Sequence, residues 1–428
     1  QLGVPACIYI LIRSNDSAKI RFPNSKKREL TMKKLCLLIA LVASSVFAQE
    51  EDMRRSYIDL EDRAYKMQDA IQTFPGRRMS ASTNPLPMPT ADLPGDFKIH
   101  YEWEGESYGI EDFNERTNSN ALLILKNGAI VKEIYRNGSE ADTKFISWST
   151  AKSFTSTMVG IAVEDGYIDS VEEALTNYLP ALLGSAYEGV SIKNTLQMSS
   201  GVEWDESSYE FRDLSKPLAY QWENSIVQHR YRFIEGANSL LQSIQPGSKF
   251  NYSTMDSSIL GWLVENSTGK RLASYMEERL WHPAGMEFDA VWLLDGPEEI
   301  GREMAGGMLA ASLRDFGRYG LLMLNNGRSG ERQVISENWV REATSADEEA
   351  VSYGALYEGY PLGYGYQWWL FPDGNFEAQG LFGQLLYIAP EENVVIVKLS
   401  AWPEGLVEEM EFESYAFFDA VVSALKDF

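Results

Sequence analysis

FISWSTAKSFTSTMVGIAVEDGYIDS, residues 145–170, combines a helical apolar period with two potentially reactive side chains. Phe154, Met158 and Ile161 recur at i, i+4 and i+7, and Gly166 stands where a helix would stop, so the spacing predicts a buried amphipathic helix over 150–164. Ser149 falls at the start of that helix and Lys152 three residues on, which puts both side chains on one face. A serine hydroxyl is a weak nucleophile. A helix N-terminus and a neighbouring amine can activate it once burial has lowered the amine's pKa enough to supply a neutral form. Serine at an N-cap followed by lysine is also common in exposed helices. This S-x-x-K differs because Lys152 lies among apolar and small residues.

The flanking segments suggest how that helix is housed. ALLILKNGAIVKEIY (121–135) places two apolar runs around Asn127-Gly128, a strong hairpin signal. GQLLYIAPEENVVIVKLS (383–400) is a second strand pair around Pro390-Glu391-Glu392-Asn393, and a helical pattern follows over roughly 405–426. Hairpins at both ends of the body predict an α/β (α+β) fold in which an antiparallel sheet, drawn from the N- and C-terminal thirds, is flanked by helices. The middle, about 170–345, reads as inserted helix and loop, with a mostly helical lobe at about 170–300. Residues 49–72 are charged and read as helical, while 73–97, with five prolines, reads as an extended, surface-hugging arm. The compact body is expected over 98–428.

From Met32 the sequence MKKLCLLIALVASSVFAQ carries Lys33 and Lys34, a 13-residue apolar stretch (Leu35–Phe47) and small residues before Gln49. It reads as a secretory signal peptide, residues 32–48, cleaved after Ala48, which predicts a periplasmic or secreted protein. Residues 1–31 read as a non-native upstream segment. Cys7 and Cys36 both fall before the cut, so the mature chain is expected to be free of cysteine, as suits an oxidising compartment. With 428 residues, 44% hydrophobic and 12% aromatic, the composition is that of a globular protein and excludes disorder, collagen and coiled coil. Lys plus Arg number 38 against 62 Asp plus Glu, a net charge of −24; the first 48 residues hold 8 basic and 2 acidic side chains, leaving 30 against 60, or −30. Such a polyanion is not drawn to nucleic acid or an anionic membrane surface, which leaves small or uncharged partners. Apart from the signal segment, no stretch approaches the roughly 20 apolar residues of a membrane span.

Two further segments carry candidate chemistry. In PGSKFNYSTMDSSILGWLVENSTG (246–269), Tyr252 follows a turn and precedes a helix, a position that a hydrophobic staple also fills. In FEAQGLFGQLLYIAPEENVVIVKLS (376–400), Gly380 and Gly383 open an apolar strand, the mark of a bulge or of an edge whose N–H groups face a substrate. SWSTAKSFTS (147–156), LQMSSGVEWDES (196–207), FNYSTMDSSILGWLVE (250–265), WHPAGMEFDAVW (281–292), AGGMLAASLRDFGRYG (305–320), YGYQWWL (364–370) and QGLFGQLLYIAPEENVVIVKLSAWP (379–403) occur in this order. Together they resemble the serine hydrolases of the β-lactamase and penicillin-binding fold, and most of all the branch holding class C β-lactamase-like esterases and 6-aminohexanoate-dimer (nylon oligomer) hydrolases. The resemblance runs over about 120–428. It implies Ser149 as acylated nucleophile and Lys152 and Tyr252 as its proton-transfer partners, either of which could be the base. It also implies an oxyanion hole from the backbone N–H groups of Ser149 and Leu381, and no cofactor or metal. Tyr209, Trp148, Gln379 and Gly380 are the substrate-pocket candidates, and Trp368 and Trp369 are expected in the core.

The chain departs from that family in two places. The third position of the tyrosine motif, Asn in β-lactamases, is Thr254, and the Lys or His two residues before a strand glycine is replaced by Ala378-Gln379-Gly380. That cation meets the carboxylate of penicillins and of D-Ala-D-Ala peptides. Its loss, with the chain's negative charge, predicts a small neutral or amine-bearing ester or amide as substrate. A D-amino-acid peptidase, a β-lactamase and a non-catalytic binding protein are the alternatives. No G-x-S-x-G or H-E-x-x-H motif is present, and His100, His229 and His282 lack ligand spacing. Gly269-Lys270 reads as a helix end, and Arg314-Asp315 as an ion-paired helix start.

Overall fold

The computed structural model describes residues 48–206 and 209–428. The upstream segment and the apolar stretch of the signal peptide, with Cys7 and Cys36, lie outside the described residues. The chain forms two units: Gln1–Asp52, of which residues 48–52 are described and helical, and Met53–Phe428, which holds everything below.

A seven-stranded antiparallel sheet runs in the spatial order Gly363–Tyr364, Trp369–Leu370, Phe376–Gly380, Gln384–Ala389, Val394–Ser400, Ser119–Lys126, Ala129–Tyr135. The last of this sheet's C-terminal strands thus pairs with the first of its two N-terminal strands, Ile396 opposite Ile124 and Val395 opposite Leu125. Asn127 (φ 51°) and Gly128 (φ 78°) both turn left-handed, the geometry a two-residue hairpin needs and a reason for this dipeptide. Four helices position the site: α1 (Ala151–Glu164), α2 (Thr254–Thr268), α3 (Leu313–Leu324) and α4 (Glu408–Ala424). Along the 119–126 strand, Leu123 and Leu125 join the core beneath α1 and α3, while Leu122 and Ile124 join Phe417, Phe418 and Val421 of α4 on the opposite face. Both faces are covered, so the strand reads as a continuous apolar run with no polar alternation.

The helix predicted over 150–164 is present, but it is not amphipathic: every residue from Ala151 to Ala162 is buried. Three of its polar side chains are absorbed by hydrogen bonds, Ser153 Oγ to Gln367 O (2.7 Å), Thr155 Oγ1 to Ala305 O (2.8 Å) and Thr157 to Tyr319 Oη (2.8 Å), while the buried Ser156 Oγ has no partner among the described residues. Phe154, fully buried, stacks on Tyr319 with ring centroids 3.7 Å apart. Residues 53–56, Arg63–Lys66 and Ala70–Thr73 are helical, but the segment up to 97 is more than an extended arm, and the body begins well before residue 98. Gly76–Met79 is a strand paired with Ala290–Leu293, and Leu309–Ala311 and Phe145–Ile146 complete a second, four-stranded antiparallel sheet. Tyr57, Met67, Phe74 and Met79 are buried in the main core, because covering this apolar surface outweighs leaving the segment extended in water. Among the described residues no strand lies between Ile146 and Ala290; that stretch of the chain contains α2 and shorter helices.

Local signals hold elsewhere. Gly269 (φ 68°) caps α2, and Ser312 starts α3 by accepting the Asp315 N–H, while Arg314 reaches Glu133. Among the described residues no helix is long and apolar enough to cross a membrane, and no cluster of three His, Cys, Asp or Glu is arranged to hold a metal.

Candidate active site

The nucleophile segment is held where the small sheet ends and α1 begins. Ser147 N–H donates to Leu309 O (2.7 Å), and its Oγ accepts from Leu309 N–H (3.1 Å). The chain then turns sharply through Trp148, whose φ of 45° is left-handed for a bulky residue. Such a conformation costs about 1–3 kcal/mol and persists only where packing enforces it. Here the Trp148 ring is locked against Trp222 (5.8 Å) and Phe382 (5.2 Å), with Nε1 donating to the Met67 sulfur (3.2 Å). Trp148, a pocket candidate from sequence, is therefore a buried wedge and does not line the cavity over Ser149. One turn of 3₁₀ helix (Trp148–Thr150) then leads into α1, so the Ser149 N–H lies in the first turn, where no intrahelical acceptor is available. Gly380, at the end of the 376–380 strand, comes so close that a Cβ there would sit 2.2 Å from Ser147 O and 3.1 Å from Ser149 N. Only glycine fits, and its approach brings the Leu381 backbone beside Ser149.

Ser149, Lys152 and Tyr252 meet in one crevice. Lys152 Nζ lies 2.9 Å from Ser149 Oγ and 3.0 Å from Thr254 Oγ1 and also contacts Gly306 O. The lysine is 2% exposed, and burial pulls its pKa down to about 8, against a smaller opposing pull from Glu206. Tyr252 stands immediately before Ser253, the N-cap of α2, and bonds with the Ser149 hydroxyl. Burial, reinforced by the Glu206 charge, pushes the phenol well above its usual range, so it is un-ionised at neutral pH. Its ring stacks on Trp369 at 5.7 Å and lies 5.0 Å from Lys152 Nζ.

A cavity of about 360 Å³ opens over these groups, lined by Ser149, Tyr209, Tyr252, Gln379, Gly380 and Leu381 and by Glu206, Tyr357, Tyr360, Trp369, Leu385, Trp402, Leu406 and Glu411. The first six were expected from sequence; the other eight were not. Trp368 is core, and Trp369, buried in a smaller core cluster with Phe250 and Tyr364, also forms one wall of the cavity. Glu206 lay unremarked inside a segment quoted for its family likeness. Tyr357 and Tyr360 come from a loop with no periodic signal.

Where the family carries a cation, Gln379 Nε2 instead donates to Tyr415 Oη (2.6 Å) and to Glu377. Tyr415 Oη in turn lies within hydrogen-bonding distance of Glu377 (2.6 Å) and Glu411 (2.8 Å). Burial raises the Glu377 carboxyl to about 8, and it raises Glu411 as well, and among the described residues no lysine or arginine lines this end of the cavity.

Comparison with known proteins agrees with this geometry. The beta-lactamase family model matches residues 110–413. The chain is 29% identical over 305 residues to the 6-aminohexanoate-dimer hydrolase of Paenarthrobacter ureafaciens, covering 69% of this chain and 76% of that one. Among solved structures, a Bacillus anthracis protein provisionally described as a 6-aminohexanoate-dimer hydrolase superposes with a TM-score of 0.76 at 24% identity, over 86% of this chain and 96% of that one. A penicillin-binding protein from Bacillus halodurans shares the fold at a TM-score of 0.58 and 18% identity, over 73% and 99% of the two chains. The chain belongs to the beta-lactamase family and is a serine hydrolase acting on an amide or ester bond.

Proposed function

We propose that this is an exported hydrolase that cleaves a neutral or amine-bearing ester or amide through an acyl-enzyme on Ser149. The observation that carries the reading is the buried Lys152 amine 2.9 Å from Ser149 Oγ, with the Tyr252 ring 5.0 Å from the same amine. Neutral Lys152 takes the Ser149 proton as Oγ attacks the carbonyl carbon. The tetrahedral oxyanion lies between the N–H groups of Ser149 and Leu381. Donors aimed at developing charge contribute about 3 kcal/mol each. Tyr252 gives its proton to the departing nitrogen or oxygen and recovers one from Lys152. Water then hydrolyses the ester by the same steps in reverse.

The wall supports the substrate class. Glu206 lines the cavity, no lysine or arginine among the described residues does, and aromatic faces such as Tyr357 and Trp369 suit hydrocarbon or an ammonium group. Likeness to a 6-aminohexanoate-dimer hydrolase favours a linear amide. A panel of neutral esters, amine-terminated linear amides, penicillins and a D-Ala-D-Ala peptide tests this. At least tenfold higher kcat/KM for the first two groups is expected, and preference for either carboxylate-bearing group would overturn it. Export rests on residues 32–48. A secreted product beginning at Gln49 is expected, and a retained Met32 would contradict it.

A further inference from the structure

Thr254 stands where β-lactamases carry asparagine, and a threonine hydroxyl is an ambiguous neighbour for a catalytic amine. An amide carbonyl only accepts. A hydroxyl can rotate and donate into the amine's lone pair, which would block it. The surroundings of Thr254 remove that freedom. Its Oγ1 lies 2.7 Å from Glu206 Oε1, while its own backbone N–H (2.7 Å) and the Trp204 indole N–H (2.6 Å) both donate to Glu206 Oε2. Both oxygens of the carboxylate meet donors, and a carboxylate has no hydrogen to return. The Thr254 hydrogen therefore points at Glu206, and its oxygen lone pairs face Lys152, 3.0 Å away. The other flanking neighbour of Lys152, the Gly306 carbonyl, also only accepts. A neutral primary amine has two hydrogens and one lone pair. With both hydrogens engaged, the lone pair is left for the third neighbour, Ser149 Oγ at 2.9 Å.

We infer that Glu206 is a positioning residue: acting through Thr254, it fixes the hydrogen-bond direction around Lys152 so that the amine's lone pair faces Ser149. The pair thereby does the work of the missing asparagine amide. The inference rests on the reading of Lys152 as the base of Ser149 acylation. In that step the Ser149 O–H bond breaks, its proton passes to the Lys152 lone pair and the Oγ–carbonyl carbon bond forms. The ammonium so produced keeps Thr254 and Gly306 as acceptors, so the same shell serves before and after transfer.

Glu206→Gln tests the direction of the bonds. The two fixed N–H donors draw the new side chain's carbonyl oxygen to the Oε2 position, its NH₂ then donates to Thr254, and the threonine hydrogen is turned toward Lys152. The burst rate of acylation by p-nitrophenyl acetate should fall about 100-fold, within the range general-base catalysis contributes, with KM little changed. The pH midpoint of the remaining rate should move down, because Glu206 and the Tyr252 phenol are the titratable groups facing Lys152 and only Glu206 favours its ammonium. Adding Thr254→Asn supplies a carbonyl acceptor that needs no carboxylate, and should bring the burst rate back to within about tenfold of the parent. A Glu206→Gln protein with the parent burst rate and midpoint overturns the inference, as does a slow one that Thr254→Asn fails to rescue while melting like the parent. If Glu206→Gln does not fold, Thr254→Val, which keeps Glu206 but deletes the relaying hydroxyl, should show a comparable loss, and undiminished acylation there overturns the inference equally. Ser149→Ala, run in parallel, tests the underlying reading separately: a burst that survives it refutes the nucleophile whatever Glu206 does.

Discussion

The pH dependence of acylation follows from the burial of Lys152. An ordinary lysine with the usual value of 10.5 is about 0.03% neutral at pH 7; one brought down to about 8 is roughly 10% neutral, some 300-fold more base. At 1.36 kcal/mol per pKa unit, the surroundings favour the neutral amine by about 3 kcal/mol. Only the neutral form can accept the Ser149 proton. The rate should therefore rise with pH, tenfold per unit well below the midpoint, and level off above about 8. The test is the pre-steady-state acylation rate from pH 5.5 to 9.5, with Ser149→Ala subtracted for spontaneous ester hydrolysis. A rate still climbing steeply at pH 9.5 would point to the Tyr252 phenolate as base, since that phenol is held well above its usual range. A flat profile would show that neither group limits acylation. Either result refutes the assignment of Lys152.

Three other perturbations are decided by local geometry. Gly380→Ala puts a methyl 2.2 Å from Ser147 O, and should lower the acylation rate at least about 100-fold by displacing the Leu381 N–H, with near-parental circular dichroism. Glu377 titrates at about 8 when folded against 4.5 when exposed, so it adds stability that is complete below about pH 4.5 and is lost as pH rises through 8. Glu377→Gln should accordingly flatten the fall in denaturation midpoint between pH 5 and 9, and an unchanged slope contradicts the burial argument. Phe154→Ala, which empties the stack on Tyr319, should cost about 3–5 kcal/mol in urea unfolding; a loss below 1 kcal/mol would mean that α1 is not packed as described.

What the sequence conveyed was what local chemistry encodes. Asn127-Gly128 allows the left-handed turn of a hairpin, Gly166 stops α1, and three-residue spacing puts Ser149 beside Lys152 wherever that helix lies. The walls of the cavity were less accessible, because they are assembled from loops far apart in the chain. Glu206 reaches Thr254 across 48 residues, and nothing in the local pattern around either one announces the bond. Trp148 was misplaced because its direction depends on one left-handed dihedral, and that Trp369 serves both core and cavity wall was hidden because the two look alike in sequence. The Gly76–Met79 strand was hidden by the prolines around it and by pairing with a partner more than 200 residues away.

The central claim is that Ser149 becomes covalently acylated. Treating the protein at pH 8 with a fluorophosphonate and mapping the adduct by mass spectrometry tests it most directly. A single adduct on the peptide containing Ser149, absent in Ser149→Ala and slowed in Lys152→Ala, is the expected result. Equal labelling of the Ser149→Ala protein, or an adduct on any other serine, would contradict it.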